Sequence, residues 1–323
     1  MSRAERGLAL RRQSPDRQLA VPPGLESAAG YAREARSPRT TKRYRDAFAI
    51  FVAWCKDQGL RPMPAEPETV AAYLAARADA GRRVLTIELE LTAIGEAHKA
   101  AGFDSPRTHR LVVATRKGIR RRLGMAPRQK AALSTGELRA MLQALPQRLI
   151  GTRDRAILLL GFAGAFRRSE LVGLDVRDLE FCPEGMSVTL RRSKTDQEGV
   201  GRTVGIPSSP NPAMCPVAAT RAWLSAAAII GGPVFREVQG SVRVGQARLA
   251  SRVVGTVVKR AAVAVGLDAS KLAGHSLRAG YATEAARAGK PLFVIQQQTG
   301  HKSVAMVSRY VRAVEIFKDV GVL

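Results

Sequence analysis

The spacing of apolar side chains predicts a helical block over about residues 37–125. Its first helix carries four aromatic side chains at intervals of 4, 3 and 3 residues: Tyr44, Phe48, Phe51 and Trp54. These intervals place the four rings on one helix face, the usual arrangement of a core-facing stripe. The following segments predict an Ala-rich helix around residue 73, a helix that ends near Gly102 and a helix over about residues 106–123.

A second block, over about residues 132–323, combines helical and strand-like patterns. Ser134 and Glu137 have the spacing of a capping box, which predicts a helix that continues to about Leu145. A buried helix is predicted over residues 153–163, and alternating apolar residues predict strands over 179–182, 187–192 and 202–206. The polar residues 193–201 predict a turn, after which helical patterns return. The predicted fold class is mainly α, with a small antiparallel sheet.

Two stretches without a strong apolar pattern delimit these blocks. Residues 1–36 contain several Arg and a Pro22-Pro23 pair, and they are predicted to be a disordered basic tail. Residues 126–131 include Pro127 and are predicted to be a linker. A chain of 323 residues fits two domains better than one. We therefore expect one domain over 37–125 and a second over 132–323.

The charge of the chain indicates a polyanionic partner. Fifty-two Lys and Arg oppose 27 Asp and Glu, a formal net charge of +25 with a pI near 11.2. Such an excess is typical of nucleic-acid binding, and a generally Arg-rich composition is the alternative interpretation. The same charge makes a DNA-contacting arm the alternative interpretation of residues 1–36.

The sequence predicts neither secretion nor a membrane partner. The longest apolar run, residues 156–166, has 11 residues, fewer than the roughly 20 that span a bilayer. The first residues lack the apolar segment of a secretory signal. Cys55, Cys182 and Cys215 are odd in number and lack metal-like spacing, so we expect reduced, buried thiols and no zinc site. These features together predict a cytoplasmic protein.

The stretch over residues 105–130 is a candidate DNA-contacting segment. It contains nine Lys and Arg and no Asp or Glu. A solvated helix face, the alternative interpretation, normally mixes both signs because like charges repel. Contact with phosphates explains the composition better. The candidate DNA-binding residues are Arg116, Lys117, Arg120, Arg121, Arg122, Arg128 and Lys130.

Four motifs in the second block carry candidate chemistry, although each one alone has a structural explanation. The segment AFRRSEL over residues 165–171 is also typical of a capped helix start. Lys194 lies in the predicted turn, where surface lysines are common. His275 and Arg278 are three residues apart and share a helix face.

The fourth motif is Gly300-His301, followed nine residues after His301 by Tyr310. A lone Tyr in a C-terminal helix more often packs than reacts. Tyr281, three residues after Arg278, is a competing candidate nucleophile, but no Gly-His pair precedes it at this spacing.

Together, the four motifs resemble the tyrosine recombinase (phage integrase) family. That family has an Arg in a Gly-x-Arg-x-Ser-Glu-Leu-like segment, a hairpin Lys, His-x-x-Arg, Gly-His and a Tyr nine residues later. The chain fills all six positions in order: Arg167, Lys194, His275, Arg278, His301 and Tyr310. The resemblance covers about residues 130–323, and the block before it resembles the family's core-binding domain only in size, helicity and basicity. Ala165-Phe166 stands where the family more often has Gly-Leu, a small apolar change.

The resemblance implies a nucleophilic attack by Tyr310 on a DNA phosphodiester, which stores the bond as a 3′-phosphotyrosine. Arg167 and Arg278 would hold the phosphate oxygens with planar forks of N–H donors, and His301 would donate to the same oxygens. Lys194 would protonate the departing 5′ oxygen as a general acid. His275 would assist proton removal from Tyr310.

The remaining implications concern support and assembly. Glu170 would support the Arg167 loop, and neither a metal nor another cofactor is expected. The resemblance implies a C-shaped clamp of two domains on double-stranded DNA and a homotetramer acting on two DNA sites. The tail over residues 311–323 would pack on a neighbouring protomer or, alternatively, on its own domain. The sequence identifies no accessory protein.

The implied function is site-specific recombination: integration, excision or resolution. Two alternatives stay open at this point. A type IB topoisomerase would use the same chemistry for strand passage within one duplex. A non-catalytic DNA-binding protein would explain the charge but not the six positions.

Overall fold

The computed structural model describes residues 27, 30–31, 35–125, 130–191, 201–240 and 243–315, the side chains of 311–315 excepted. The chain divides into two compact units, Met1–Pro127 and Arg128–Leu323. Most of the predicted tail over residues 1–36 and residues 126–129 of the predicted linker lie outside the described residues.

Over residues 35–125, the first unit contains four helices and a short 3-10 turn at Pro106–Thr108. The helices are α1 (Pro38–Asp57), α2 (Pro67–Asp79), α3 (Val84–Ala100) and α4 (Arg110–Leu123). The predicted helix over 106–123 is interrupted because His109 is extended and caps α4, its Nδ1 accepting from Leu111 N at 3.4 Å. Three rings of the predicted stripe, Phe48, Phe51 and Trp54, face the core, where Phe51 and Trp54 lie 5.0 and 5.3 Å from the ring of Tyr73. Tyr44 lies outside this cluster, with Arg36 over its ring.

The second unit is mostly helical and carries two small antiparallel sheets. Its helices are α5 (Thr135–Gln143), α6 (Leu149–Ala163), α7 (Arg168–Gly173), α8 (Pro216–Ala226), α9 (Ser251–Val263), α10 (His275–Arg287), α11 (Leu292–Thr299) and α12 (Val304–Glu315). The strands are β1 (Leu179–Cys182), β2 (Gly185–Leu190), β3 (Arg202–Pro207), β4 (Arg236–Gln239) and β5 (Arg243–Arg248). One sheet has the order β1-β2-β3 and the other pairs β4 with β5. The predicted fold class, mainly α with a small antiparallel sheet, is confirmed.

Helix α6 lies at the centre of the second unit and packs against α8 and α10. The approach of α10 requires a glycine, because a Cβ at Gly280 would lie 2.2 Å from the Leu133 carbonyl and 2.7 Å from the Phe162 ring. The predicted capping box at the start of α5 is present, with Ser134 N donating to Glu137 Oε2 at 2.8 Å. These contacts fix the element that carries His275 and Arg278.

The junction between α6 and α7 contains a strained residue. Ala165 has a φ of +49°, a region where an L side chain costs about 1 kcal/mol or more because its Cβ crowds the backbone. The position is the one where the family more often has glycine, which adopts positive φ without this cost. Alanine at position 165 therefore stores strain two residues before Arg167.

We expect Ala165→Gly to raise the free energy of unfolding by about 1 kcal/mol, because it releases this strain. Ala163→Gly is the matched control, since Ala163 ends α6 and a helical glycine should destabilise by about 0.5–1 kcal/mol. Urea unfolding followed by circular dichroism would measure both. Equal destabilisation by the two substitutions would contradict the strain argument.

The prediction of buried thiols is right for Cys55 and Cys215 and wrong for Cys182. Cys182 ends β1, an edge strand of alternating exposure, and lies on the same exposed face as Glu180. All three cysteines are free. Among the described residues, no group of three or more His, Cys, Asp or Glu could hold a metal ion.

No helix in the described part of the chain is long and apolar enough to cross a membrane.

Candidate active site

The structure brings five of the six predicted catalytic residues together in the second unit. Arg167 precedes α7, His275 and Arg278 lie in the first turn of α10, His301 follows α11, and Tyr310 lies in α12. The sixth, Lys194, lies outside the described residues.

Arg167 is held by the helix that it caps. Its backbone N–H donates to Glu170 Oε2 at 2.8 Å, and its Nη1 donates to Glu170 Oε1 at 2.5 Å. Its Nη2 donates to the Gly300 carbonyl at 3.3 Å. Glu170 therefore orients the guanidinium of Arg167, and the remaining bond ties that guanidinium to the residue before His301.

Arg278 is a buried guanidinium with an unused donor. Only 1% of the residue is exposed, and its Nη1 donates to the Ala165 carbonyl at 2.8 Å. Its buried Nη2 has no hydrogen-bond partner in the described part of the chain. Burial and the charge of Arg167 lower the pKa of Arg278 to about 10, so the side chain stays charged at neutral pH. A buried donor without an acceptor costs free energy, which indicates a place for an anion.

The surroundings of His301 favour its neutral form. Burial first, and then the charges of Arg278 and Arg167, lower its pKa to about 4. Its Nδ1 lies 2.7 Å from Thr299 Oγ1, and that hydroxyl also lies 2.6 Å from the Ile295 carbonyl.

The hydrogen bonds of Thr299 determine the tautomer of this ring. A carbonyl can only accept, so the single hydroxyl hydrogen of Thr299 is used toward Ile295. Nδ1 of His301 then carries the ring hydrogen, and Nε2 is an acceptor. Nε2 can donate to a phosphate in two ways. The ring can gain a second proton, or the Thr299 hydroxyl can rotate to donate to Nδ1, which moves the single ring hydrogen to Nε2. A bound phosphate favours the proton, because a nearby negative charge raises the pKa of a histidine.

His275 is exposed at the start of α10. Partial desolvation, followed by the charges of Arg278, Arg167 and Arg168, lowers its pKa. A neutral imidazole can accept a proton, which fits a residue that assists deprotonation of a phenol.

Tyr310 is partly buried and packs on a small apolar cluster that includes Ile295 and Val307. Its ring centroid lies 6.1 Å from that of His301, and its phenol is electrostatically coupled to Arg278. Tyr281 packs on the same cluster, where burial raises the pKa of its hydroxyl. A raised pKa opposes formation of the phenolate, which disfavours Tyr281 as a nucleophile.

Arg202 is a further residue of this site, and no motif indicated it. It begins β3 and its Nη1 donates at 3.0 Å to the carbonyls of both Gln297 and Gln298. Its Nη2 lies 3.9 Å from Glu170 Oε2. Burial lowers the pKa of Arg202, whereas Glu170 raises it. In the sequence it is one Arg among many after a polar turn, so nothing in its spacing distinguished it.

The candidate DNA-binding segment contains no acidic residue, but a carboxylate from another helix pairs with part of it. Glu88 of α3 lies 2.7 Å from Arg120 Nε and 3.8 Å from Arg116 Nε. Lys117, Arg121 and Arg122 are exposed on α4. These three cations make no hydrogen bond or ion pair with other described residues of the unit.

The two remaining candidates lie beyond α4. Arg128 is outside the described residues. Lys130 belongs to the second unit, where its Nζ donates to the Ser270 carbonyl.

Comparisons with known proteins agree with these motifs. Residues 132–315 match the Phage integrase family. The chain is 38% identical over 290 residues to an integrase/recombinase XerD homolog of Selenomonas ruminantium, covering 88% of this chain and 85% of that protein. It is 25% identical over 300 residues to the recombinase Cre of Escherichia phage P1, covering 87% and 85% of the two chains.

A solved structure shares the fold. The lambda integrase tetramer bound to a Holliday junction matches with a TM-score of 0.57 at 20% identity, over 88% of this chain and 76% of that one. The family match covers more than half of the chain, and the relative from Selenomonas is similar over most of both proteins. The chain therefore belongs to the phage integrase family, the tyrosine site-specific recombinases.

Proposed function

We propose that this recombinase cleaves and rejoins double-stranded DNA through a 3′-phosphotyrosyl bond on Tyr310, in integration, excision or resolution. The observation that carries the proposal is the unpaired, buried Nη2 of Arg278, in a site that also contains Arg167, His301 and Tyr310. One carboxylate, Glu170, is already engaged by Arg167. The site therefore offers excess positive charge to an anionic group.

In the proposed reaction, the hydroxyl of Tyr310 attacks the phosphorus and the 5′ oxygen of the DNA leaves. The proton of Tyr310 goes to His275, which is neutral because its pKa is lowered. Lys194, assigned by its motif, gives a proton to the departing oxygen. A 5′ hydroxyl from another strand then reverses these steps, so the number of phosphodiester bonds is conserved and no nucleotide is consumed.

The cations stabilise the charge that develops on the non-bridging oxygens. Arg278 offers the free Nη2, and Arg167 can offer the donors that Glu170 and Gly300 do not hold. Their positions are fixed before DNA binds, so little reorganisation is needed during the reaction. His301 becomes a donor to the same oxygens when phosphate binding protonates its ring.

We also propose that the first unit holds the duplex through α4. Glu88 neutralises part of the charge of Arg116 and Arg120, so the strongest phosphate contacts should come from Lys117, Arg121 and Arg122. This assignment selects three of the seven candidate DNA-binding residues. Phosphate contacts by the other four, Arg116, Arg120, Arg128 and Lys130, stay predictions.

Simultaneous substitution of Lys117, Arg121 and Arg122 by Ala should weaken binding to specific and random DNA about equally. The slope of log affinity against log salt concentration should become shallower by about 2–3, because about one counterion fewer is released for each phosphate contact that is lost. Arg120→Ala is the control, and its effect should be smaller than one third of the triple change because Glu88 already engages this side chain. An unchanged slope for the triple variant would exclude α4 as a phosphate-binding face.

We propose a homotetramer acting on two DNA sites, as in the lambda integrase tetramer bound to a Holliday junction. The predicted packing of the C-terminal tail falls on residues 311–323, of which 316–323 and the side chains of 311–315 lie outside the described set. That packing stays a prediction.

Joining of strands from two separate duplexes tests the proposed function. A site would first be selected from random-sequence DNA by its affinity for the chain, and then placed on two duplexes of different length and label. We expect products that carry both labels. A topoisomerase-like activity would relax supercoiled DNA without such products, and a non-catalytic DNA-binding protein would do neither.

A further inference from the structure

The Arg202 side chain, which belongs to β3, caps the C-terminal end of α11. The last carbonyls of a helix lack partners within it and carry partial negative charge. Arg202 Nη1 donates to two of them, those of Gln297 and Gln298, at 3.0 Å each. The strand β3, where Arg202 pairs with Leu190, is thereby tied to the turn that follows α11.

The guanidinium also lies directly against Gly300. This glycine has a φ of +61°, and a Cβ there would lie 2.8 Å from Arg202 Nε and 2.9 Å from its Cζ. Gly300 is therefore needed for its backbone conformation and for the close approach of Arg202. The Gly-His motif is a contact surface for this arginine as well as a turn.

A second arginine, Arg167, donates to the same turn. Arg167 Nη2 donates to the Gly300 carbonyl at 3.3 Å, and Glu170 is shared, bonded to Arg167 and 3.9 Å from Arg202 Nη2. The turn that carries His301 is thus fixed between two guanidinium groups with a common carboxylate.

We propose that Arg202 is a positioning residue that holds the Gly300-His301 turn in place, so that His301 and Arg167 meet the scissile phosphate together. The proposal rests on the proposed function of this site. Arg202 acts through the turn, because its Nη1 donates to two carbonyls at the end of α11. Its buried Nη2 has no hydrogen-bond partner among the described residues and lies 3.9 Å from Glu170, the carboxylate that already orients Arg167. A displacement of about 1 Å at a catalytic group can cost about 10²-fold in rate.

The test uses the full chain with two variants. Arg202→Met keeps an unbranched apolar stem and removes the donors, and Arg202→Lys keeps the charge without the planar fork. Arg177→Met is the matched control, because the Arg177 side chain is 70% exposed. Formation of the covalent adduct would be measured at saturating DNA on a nicked site. We expect Arg202→Met to slow it by about 10²-fold, Arg202→Lys to slow it less, and the control and all DNA affinities to change less than about threefold.

A double-mutant cycle distinguishes positioning from a general loss of stability. If Arg202 acts through the turn, Arg202→Met should cost little in a protein that already carries His301→Ala. Full additivity of the two losses would overturn the proposal. Rescue of Arg202→Met by a substrate with a 5′-bridging sulfur would also overturn it, because the defect would then lie in leaving-group protonation.

Backbone hydrogen exchange gives a readout that needs no activity. In the DNA-free protein, Arg202→Met should speed exchange at residues 299–303 and leave α9 unchanged. Unchanged exchange at the turn would overturn the proposal. Failure of the wild-type chain to form any adduct would instead contradict the proposed function, so the two failures are distinguishable.

Discussion

Tyr310→Phe is expected to abolish covalent attachment of the protein to DNA while leaving binding intact. The substitution removes one oxygen and keeps the ring that packs on the apolar cluster containing Ile295 and Val307, so folding and affinity should change little. Without the hydroxyl there is no nucleophile for the phosphorus, and no other group replaces it. The expected loss is at least about 10⁴-fold in adduct formation, below the detection limit of a gel assay.

The assay uses a selected site as a series of duplexes in which a nick is moved one base pair at a time. When the nick lies next to the cleavage position, the short fragment diffuses away and traps the intermediate. The wild-type chain should form a 3′-linked adduct without added metal or nucleotide. An adduct through the 5′ end would assign the chain a different chemistry and contradict the proposed function.

Tyr281→Phe is the control, because Tyr281 packs on the same apolar cluster as Tyr310. This variant should form the adduct at nearly the wild-type rate. Peptide mapping of the wild-type adduct should find the DNA on the peptide that contains Tyr310. DNA on any other peptide would overturn the assignment of the nucleophile.

The sequence predicted those parts of the fold that leave a local, periodic signal. The aromatic stripe of α1 and the capping box of Ser134 and Glu137 are examples, because each depends on residues a few positions apart. The second strand was predicted over 187–192 and lies at Gly185–Leu190. A displacement of two residues keeps the same side chains inward, since alternation fixes the face of a strand and not its end.

The hairpin of β4 and β5 left no such signal. Its residues are mostly Arg, Gln, Gly and Val, and much of it is exposed, so apolar and polar residues do not alternate clearly. Cys182 also shows that local sequence does not reveal which face of a strand is exposed. A small apolar residue was expected inside, but the edge strand places it outward.

The sequence predicted candidate residues for the site but not their geometry. The six motif positions are visible in the sequence, and Glu170 lies only three residues from Arg167, which it orients. Other partners come from distant elements: the Gly300 carbonyl accepts from Arg167, and the Ala165 carbonyl accepts from Arg278. Arg202, which joins β3 to α11, left no signal in the sequence. The strain at Ala165 is also invisible locally, because it follows from how α6 and α7 meet.

Arg278→Lys is expected to slow cleavage by about 10²- to 10³-fold, the usual cost of removing one preorganised donor from a site of developing negative charge. Lysine keeps the charge, but one ammonium cannot donate to the Ala165 carbonyl and also occupy the position of the free Nη2. The substitution therefore separates charge from geometry. Single-turnover adduct formation at saturating DNA measures it, and affinity should fall less than about threefold, because the charge that attracts phosphate is retained.

Two comparisons make this result specific. Arg153→Lys changes another buried guanidinium, 4% exposed and bonded to Asp154, so it should lower stability without slowing cleavage in protein that remains folded. A 5′-bridging sulfur makes the leaving group independent of a general acid, so it should restore Lys194→Ala and leave Arg278→Lys slow. If Arg278→Lys cleaves at the wild-type rate, the buried Nη2 does not contact the transition state, and the observation that carries the proposed function is lost. Rescue by the sulfur substrate would place Arg278 in proton transfer instead of charge stabilisation.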